Sequence, residues 1–206
     1  MTISELKERI RKGSNNACEY INIPLRYRKL GMYESVLSKK ALNACLDNNT
    51  VYLTGSCGSG KTHLACYLAL SYFAESFCEK EYEDGSYYEP TKSVDFIIMP
   101  QLLTSIKRSW EDKQAWKSDS TEEQIMNRCT KKHLLVIDDI AANKLSDWSR
   151  DVVYNIINER YLNMRPTIIT SNLTLSELSA QLDDRIASRI ADGVIIDMGE
   201  KDYRLK

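Results

Sequence analysis

Apolar and polar positions follow two rhythms along this 206-residue chain. Short apolar runs recur at Val51-Tyr52-Leu53-Thr54, Val94 to Met99, Leu134-Leu135-Val136-Ile137, Pro166 to Thr170 and Val194 to Met198. They are β-prone and too short for helices. The uniformly apolar runs at 134–137 and 166–170 read as strands covered on both faces. Between the runs lie longer stretches at helical spacing: 2–12 with Ile3, Leu6 and Ile10, 35–46, and 63–75, which lacks Gly and Pro. Pro100 opens another, with Leu102, Leu103, Ile106 and Trp110 on its core-facing side, and 122–130 follows. The last three are 148–161, 175–182 and 184–191. Strands alternating with helices predict a three-layer α/β fold around a mainly parallel five-stranded sheet. Residues 79–92, acidic and aromatic, break the rhythm and read as a mobile excursion, a solvated loop or a hairpin.

Composition narrows the function classes. A hydrophobic fraction of 43% with 28% charged residues is that of an ordinary globular protein, long enough for one sizeable core. The formal net charge of -1 excludes a global basic field, so nucleic-acid contact needs a local patch. Lys107, Arg108, Lys113 and Lys117, with Trp110 and Trp116 interleaved, are a candidate for single-stranded DNA. The favoured reading of the same residues is a plain amphipathic helix, with Trp110 in the core and the lysines in water. Six cysteines without a C-x-x-C pair argue against zinc or a disulfide framework, and Cys57 and Cys66 suit a reducing, cytoplasmic setting. No signal peptide is visible and no apolar run approaches the ~20 residues of a membrane span.

The chemistry concentrates after the apolar runs. Gly55-Ser56-Cys57-Gly58-Ser59-Gly60-Lys61-Thr62 is a complete G-x-x-x-x-G-K-[ST] phosphate loop between a strand and a helix, with His63 next. Its glycines allow close backbone approach, Lys61 reaches the β- and γ-phosphates of ATP, and the Thr62 hydroxyl suits Mg²⁺. The run 134–137 ends in Asp138-Asp139. Asp138 suits a hold on Mg²⁺, and Asp139 a carboxylate that orients and deprotonates water. Thr170-Ser171-Asn172 follows another strand; Asn172 could sense the γ-phosphate or merely cap a turn. Arg185 and Arg189, four apart on one helical face, suit a neighbouring subunit's γ-phosphate or a surface pairing with Asp183 or Asp184.

Together these segments resemble the AAA+ module of bacterial replicative-helicase loaders of the DnaC/DnaI type, and the related transposition ATPases of the IstB type. The matching text includes Ile23-Pro24-x-Arg26-Tyr27, the loop through Ala65, Leu134 to Ile140, Ile156 to Tyr161, Pro166 to Leu173, Arg185 to Ile190 and Asp202-Tyr203-Arg204. The resemblance implies a P-loop NTPase fold of the AAA+ (ASCE) kind over residues 21–206, without a separate carboxy-terminal lid, after a short helical extension at 1–20. It implies ATPase activity with ATP and Mg²⁺, Asn172 as the sensor, and Arg189 as a trans-acting finger beside Arg185. Implied partners are a replicative DNA helicase, single-stranded DNA and further copies of the chain on ATP binding, with no membrane. The alternatives are a transposition helper and a nucleotide-dependent scaffold with little turnover. Departures are a short amino-terminal region (which leans towards a phage or mobile-element protein), Ala141 where the family has Gly, and the long acidic 79–92 segment.

Overall fold

The structure is a computed structural model that describes residues 2–28, 35–82, 85–111, 121–141 and 145–203. Thr2 begins helix α1 (Ile3–Arg11) with a reciprocal capping box to Glu5. Helix α2 (Asn15–Tyr20), capped by Ser14, lies where no helical spacing marks the sequence, and its Ala17 and Cys18 face the core. A single 3₁₀ turn (Leu25–Tyr27) and α3 (Val36–Leu46) lead to β1 (Val51–Thr54) and α4 (Lys61–Glu75). Then come β2 (Phe77–Tyr82), β3 (Gly85–Pro90), β4 (Val94–Ile98), α5 (Met99–Glu111) and α6 (Glu122–Lys131). The chain continues through β5 (Leu134–Asp138), α7 (Asp147–Leu162), β6 (Thr167–Ser171), α8 (Leu175–Gln181), α9 (Asp184–Ala191) and β7 (Val194–Asp197).

The main sheet is five-stranded and parallel throughout, in the order β4-β5-β6-β1-β7. Side chains alternate across it and make two cores. Val51, Leu53, Leu134, Val136 and Ile168 join α1 to α4 on one face. Tyr52, Leu135, Ile137 and Ile169 join α5 to α9 on the other. These are the three layers that the sequence predicts. Strand β1 lies between β6 and β7, and its following helix α4 covers the opposite face from the helices that follow β6. The chain therefore diverges to both faces at the carboxyl ends of β1 and β6, opening a crevice where ligands of parallel sheets bind.

Residues 77–82 and 85–90 form a two-stranded antiparallel ribbon, β2 on β3, which is the hairpin among the readings of that segment. One local expectation is corrected. Trp110 is not a core residue: it is 55% exposed, stacks edge-on against Trp148 with centroids 4.9 Å apart, and donates its indole N–H to Glu122 at 2.8 Å. Lys113, Trp116 and Lys117 lie outside the described residues. Residues 1–20 read in sequence as an extension, yet Ile10 is buried and Lys7 and Arg11 both reach Glu75 of α4. Among the described residues no helix is long and apolar enough to cross a membrane.

Candidate functional site

The phosphate loop turns between β1 and α4 by using left-handed backbone at Gly58 (φ 80°) and Gly60 (φ 93°), which glycine adopts without a steric penalty. At Gly60 no atom stands within 4 Å of where a β-carbon would be, so this part of the loop faces open space. The loop ends on the amino terminus of a 15-residue helix, where free N–H groups and the helix dipole favour an anion. Lys61 is buried, and its ammonium donates to Gly55 O at 2.9 Å, Ser56 O at 2.7 Å and Asn172 Oδ1 at 2.7 Å. Asn172 is exposed on the turn after β6. That turn is held from β1, where the Tyr52 and Thr54 hydroxyls both donate to Leu173 O, at 2.7 and 2.8 Å.

The acidic pair sits one strand away. Asp138 is buried, and its Oδ1 accepts from the Thr62 hydroxyl at 2.9 Å and the Thr170 hydroxyl at 2.7 Å. Burial pushes the Asp138 carboxyl above its ordinary value, and these two hydrogen bonds oppose that rise. Asp139 adopts φ 55°, a strained conformation for a residue with a side chain, and donates its N–H to Thr170 Oγ1 at 3.0 Å. Burial also lowers the pKa of His63, so its ring is neutral at pH 7. A cleft of about 370 Å³ brings together Cys57, Gly58, Gly60, Lys61, Thr62, His63, Asp138, Asp139 and Asn172. The same cleft is bounded by Arg26, Tyr27 and Tyr203.

A hydroxyl and a carboxylate 2.9 Å apart, beside an open loop, are hard oxygen donors that fit Mg²⁺ carried in with phosphates. Among the described residues no cluster of three or more His, Cys, Asp or Glu could hold a metal independently.

The structure does not bring Arg185 and Arg189 to this cleft. They lie on α9. Arg189 lines a separate hollow with Thr50, Tyr161 and Gly193, at the amino-terminal edge of the sheet. Its Nε donates to Asn158 Oδ1 at 3.0 Å, and its guanidinium lies 5.3 Å from the Tyr154 ring centroid. Arg185 pairs with Asp183 at 2.8 Å, the surface pairing that the spacing permits. Sequence reasoning also passed over three contributors. Thr170 holds both acidic residues, and its only signal is its place two residues before Asn172. Tyr27 and Tyr203 reach the cleft from distant segments; both stand in segments that carry the resemblance, but neither residue type points to a role by itself.

The sequence model of the family described as IstB-like ATP binding protein matches residues 35–206. The chain is 26% identical over 140 residues to the replicative helicase loader DnaC of Escherichia coli (strain K12), covering 68% of this chain and 49% of that protein. It is 28% identical over 152 residues to the replicative helicase loader DnaI of Bacillus subtilis (strain 168), covering 73% and 42%. The match thus spans less than half the length of each of these relatives. A crystal structure of the DnaC helicase loader superposes with a TM-score of 0.59 at 21% identity, covering 89% of this chain and 99% of that one.

Proposed function

The chain belongs to the family of IstB-like ATP-binding proteins, with a P-loop fold of the AAA+ kind, and from that premise we propose that it is an ATPase that helps load a replicative DNA helicase. The observation that carries the reading is the 2.7 Å bond from Lys61 to Asn172, which ties the phosphate loop to the turn after β6. An incoming γ-phosphate offers Lys61 a stronger, fully charged partner. Lys61 then releases Asn172, and the amide is free to read the phosphate and orient water. Occupancy of the loop is thereby converted into movement of a neighbouring strand end.

Within the cleft each residue has a task. The N–H groups at the start of α4 and the Lys61 ammonium bind the triphosphate. Thr62 and Asp138 would hold Mg²⁺, which supplies neutralisation of charge on the phosphoryl oxygens. Asp139, held in place by Thr170, takes the proton of the attacking water. The arginine finger comes from elsewhere, since Arg189 lies at the opposite edge of the sheet and serves the nucleotide of an adjacent copy in a head-to-tail assembly. Single-stranded DNA and the ring helicase are the partners of this reading. An intact set of Lys61, Asp138, Asp139 and Asn172 around one cleft favours turnover over a passive scaffold.

A complementation assay tests it. Lys61→Ala protein keeps its finger but lacks nucleotide, whereas Arg189→Ala protein keeps nucleotide but lacks the finger. Each alone is expected to hydrolyse ATP at background rate, and a mixture to recover activity. Normal hydrolysis by Arg189→Ala at high protein concentration would refute the finger. Capture of the host replicative helicase only when ATP is present supports the loader assignment, and its absence under both conditions removes it.

A further inference from the structure

The carboxy-terminal strap, residues 198–203, is fastened to the phosphate loop at successive points. Met198 donates its N–H to Thr54 O at 2.7 Å, and Ser56 donates to Gly199 O at 3.0 Å. Tyr203 then donates its N–H to Gly58 O at 3.1 Å. Between the last two contacts the Asp202 carboxylate rests on Gly58, with Oδ1 1.8 Å from where a β-carbon would stand. Only glycine at 58 admits this approach. These contacts deliver the Tyr203 ring to the rim of the cleft, where it is 59% exposed and has the Lys201 ammonium 4.9 Å from its centroid.

The cleft is lined by two kinds of residue. Lys61, Thr62, Asp138, Asp139 and Asn172 carry charge or hydrogen-bonding groups suited to phosphates and a cation. The rest of the lining includes Arg26 and two phenol rings, Tyr27 and Tyr203, each from a segment outside the loop and the acidic strand end. An exposed aromatic ring at the edge of a site that takes a nucleotide is suited to a base, because every base has a π-face.

Resting on the nucleotide-binding reading above, we propose that Tyr203 is a nucleotide-binding residue. The strap carries it to the phosphate loop, where it contacts the base and ribose rather than the phosphates. Its backbone bond to Gly58 fixes the ring relative to the phosphate loop, so the ring and the loop hold one nucleoside triphosphate between them. The affinity of the site then depends on a residue more than 140 positions after the loop.

Calorimetry with three ligands separates this role from simple support of the loop. In Tyr203→Ala, affinity for both ATP and ADP should fall about tenfold, the order of one lost base–aromatic stack, while inorganic tripolyphosphate binds as before. Tyr203→Phe should keep wild-type affinity for all three. A thermal melt of Tyr203→Ala should match the unaltered protein, because an exposed ring contributes little to the core. Unchanged ATP binding by Tyr203→Ala would overturn the proposal. An equal loss for ATP, ADP and tripolyphosphate would also overturn it, showing that the strap merely shapes the loop. If the unaltered protein takes up tripolyphosphate but neither nucleotide, the nucleotide reading itself falls, a result distinct from both.

Discussion

Two cations are sunk at opposite edges of the same sheet, and they differ in whether their partners can be exchanged. Lys61, at the carboxyl edge, is 6% exposed and donates to two loop carbonyls and the Asn172 amide. Arg160, at the amino edge, is 0% exposed. It donates to Pro166 O at 2.7 Å, Cys129 O and Lys132 O at 2.9 Å, and the Thr167 hydroxyl at 2.8 Å. Burial lowers its pKa to about 9, which leaves it cationic at pH 7. Its planar fork joins the end of α6 to the starts of β5 and β6, all parts of the rigid frame. The compact ammonium of Lys61 instead holds a glycine-rich loop and an exposed turn, neither buried in the core. One buried charge staples the frame, and the other holds parts outside it, the partner exchange that the proposed function requires.

The largest expected effect is on the staple. Arg160→Met leaves several buried carbonyls unpaired, and should cost about 3–5 kcal/mol. For a chain of this size that lowers Tm by roughly 10 °C. A melt within 2 °C of wild type, on the order of the shift from ~1 kcal/mol, would break the contrast. Lys61→Ala should do the reverse, leaving Tm nearly unchanged while weakening ATP binding at least about a hundredfold, as read by calorimetry. Wild-type affinity in that variant would remove Lys61 from the site.

The smallest effect sharpens the picture at the carboxyl edge. Burial, and then the neighbouring Asp139 charge, raise the Asp138 pKa in the folded chain above its ordinary 3.8. The folded state therefore binds more protons there than the unfolded chain, so this residue's contribution to stability falls as pH rises through that raised value. In nucleotide-free protein Asp138→Asn should melt slightly higher than wild type at pH 7, and the gap should close below the ordinary carboxylate range. A lower Tm for Asp138→Asn at pH 7 would show that ionised Asp138 is stabilised in the empty cleft. The same substitution should abolish the magnesium dependence of nucleotide binding.

Much of this was legible along the chain. The five strand runs stand where the apolar rhythm places them, and the loop at 55–62 declares its chemistry by glycine spacing and position before a helix. The misreadings share one cause. Trp110 keeps core spacing on α5, but its position on the helix brings it to the surface, where Trp148 and Glu122 engage it. The helical stretches marked by spacing stop at 12 and resume at 35, yet Ser14 caps a short helix whose Ala17 and Cys18 fill the core beneath it. Local composition says nothing about what lies across a contact.

Periodicity and turn chemistry act over a few residues, so the sequence alone determined the layers, the strand identities, the phosphate loop and the acidic strand end. Strand order, by contrast, depends on which surfaces meet at long range. Only the tertiary structure placed β6 between β5 and β1, so that Asn172 meets Lys61 on one side and the Thr170 hydroxyl meets Asp138 on the other. It alone carried Tyr203 back to the loop and set Arg189 at the far edge. Hydrogen bonds reach about 3 Å in space and have no reach along the chain, so partners far apart in sequence become visible only once the sheet has brought them together.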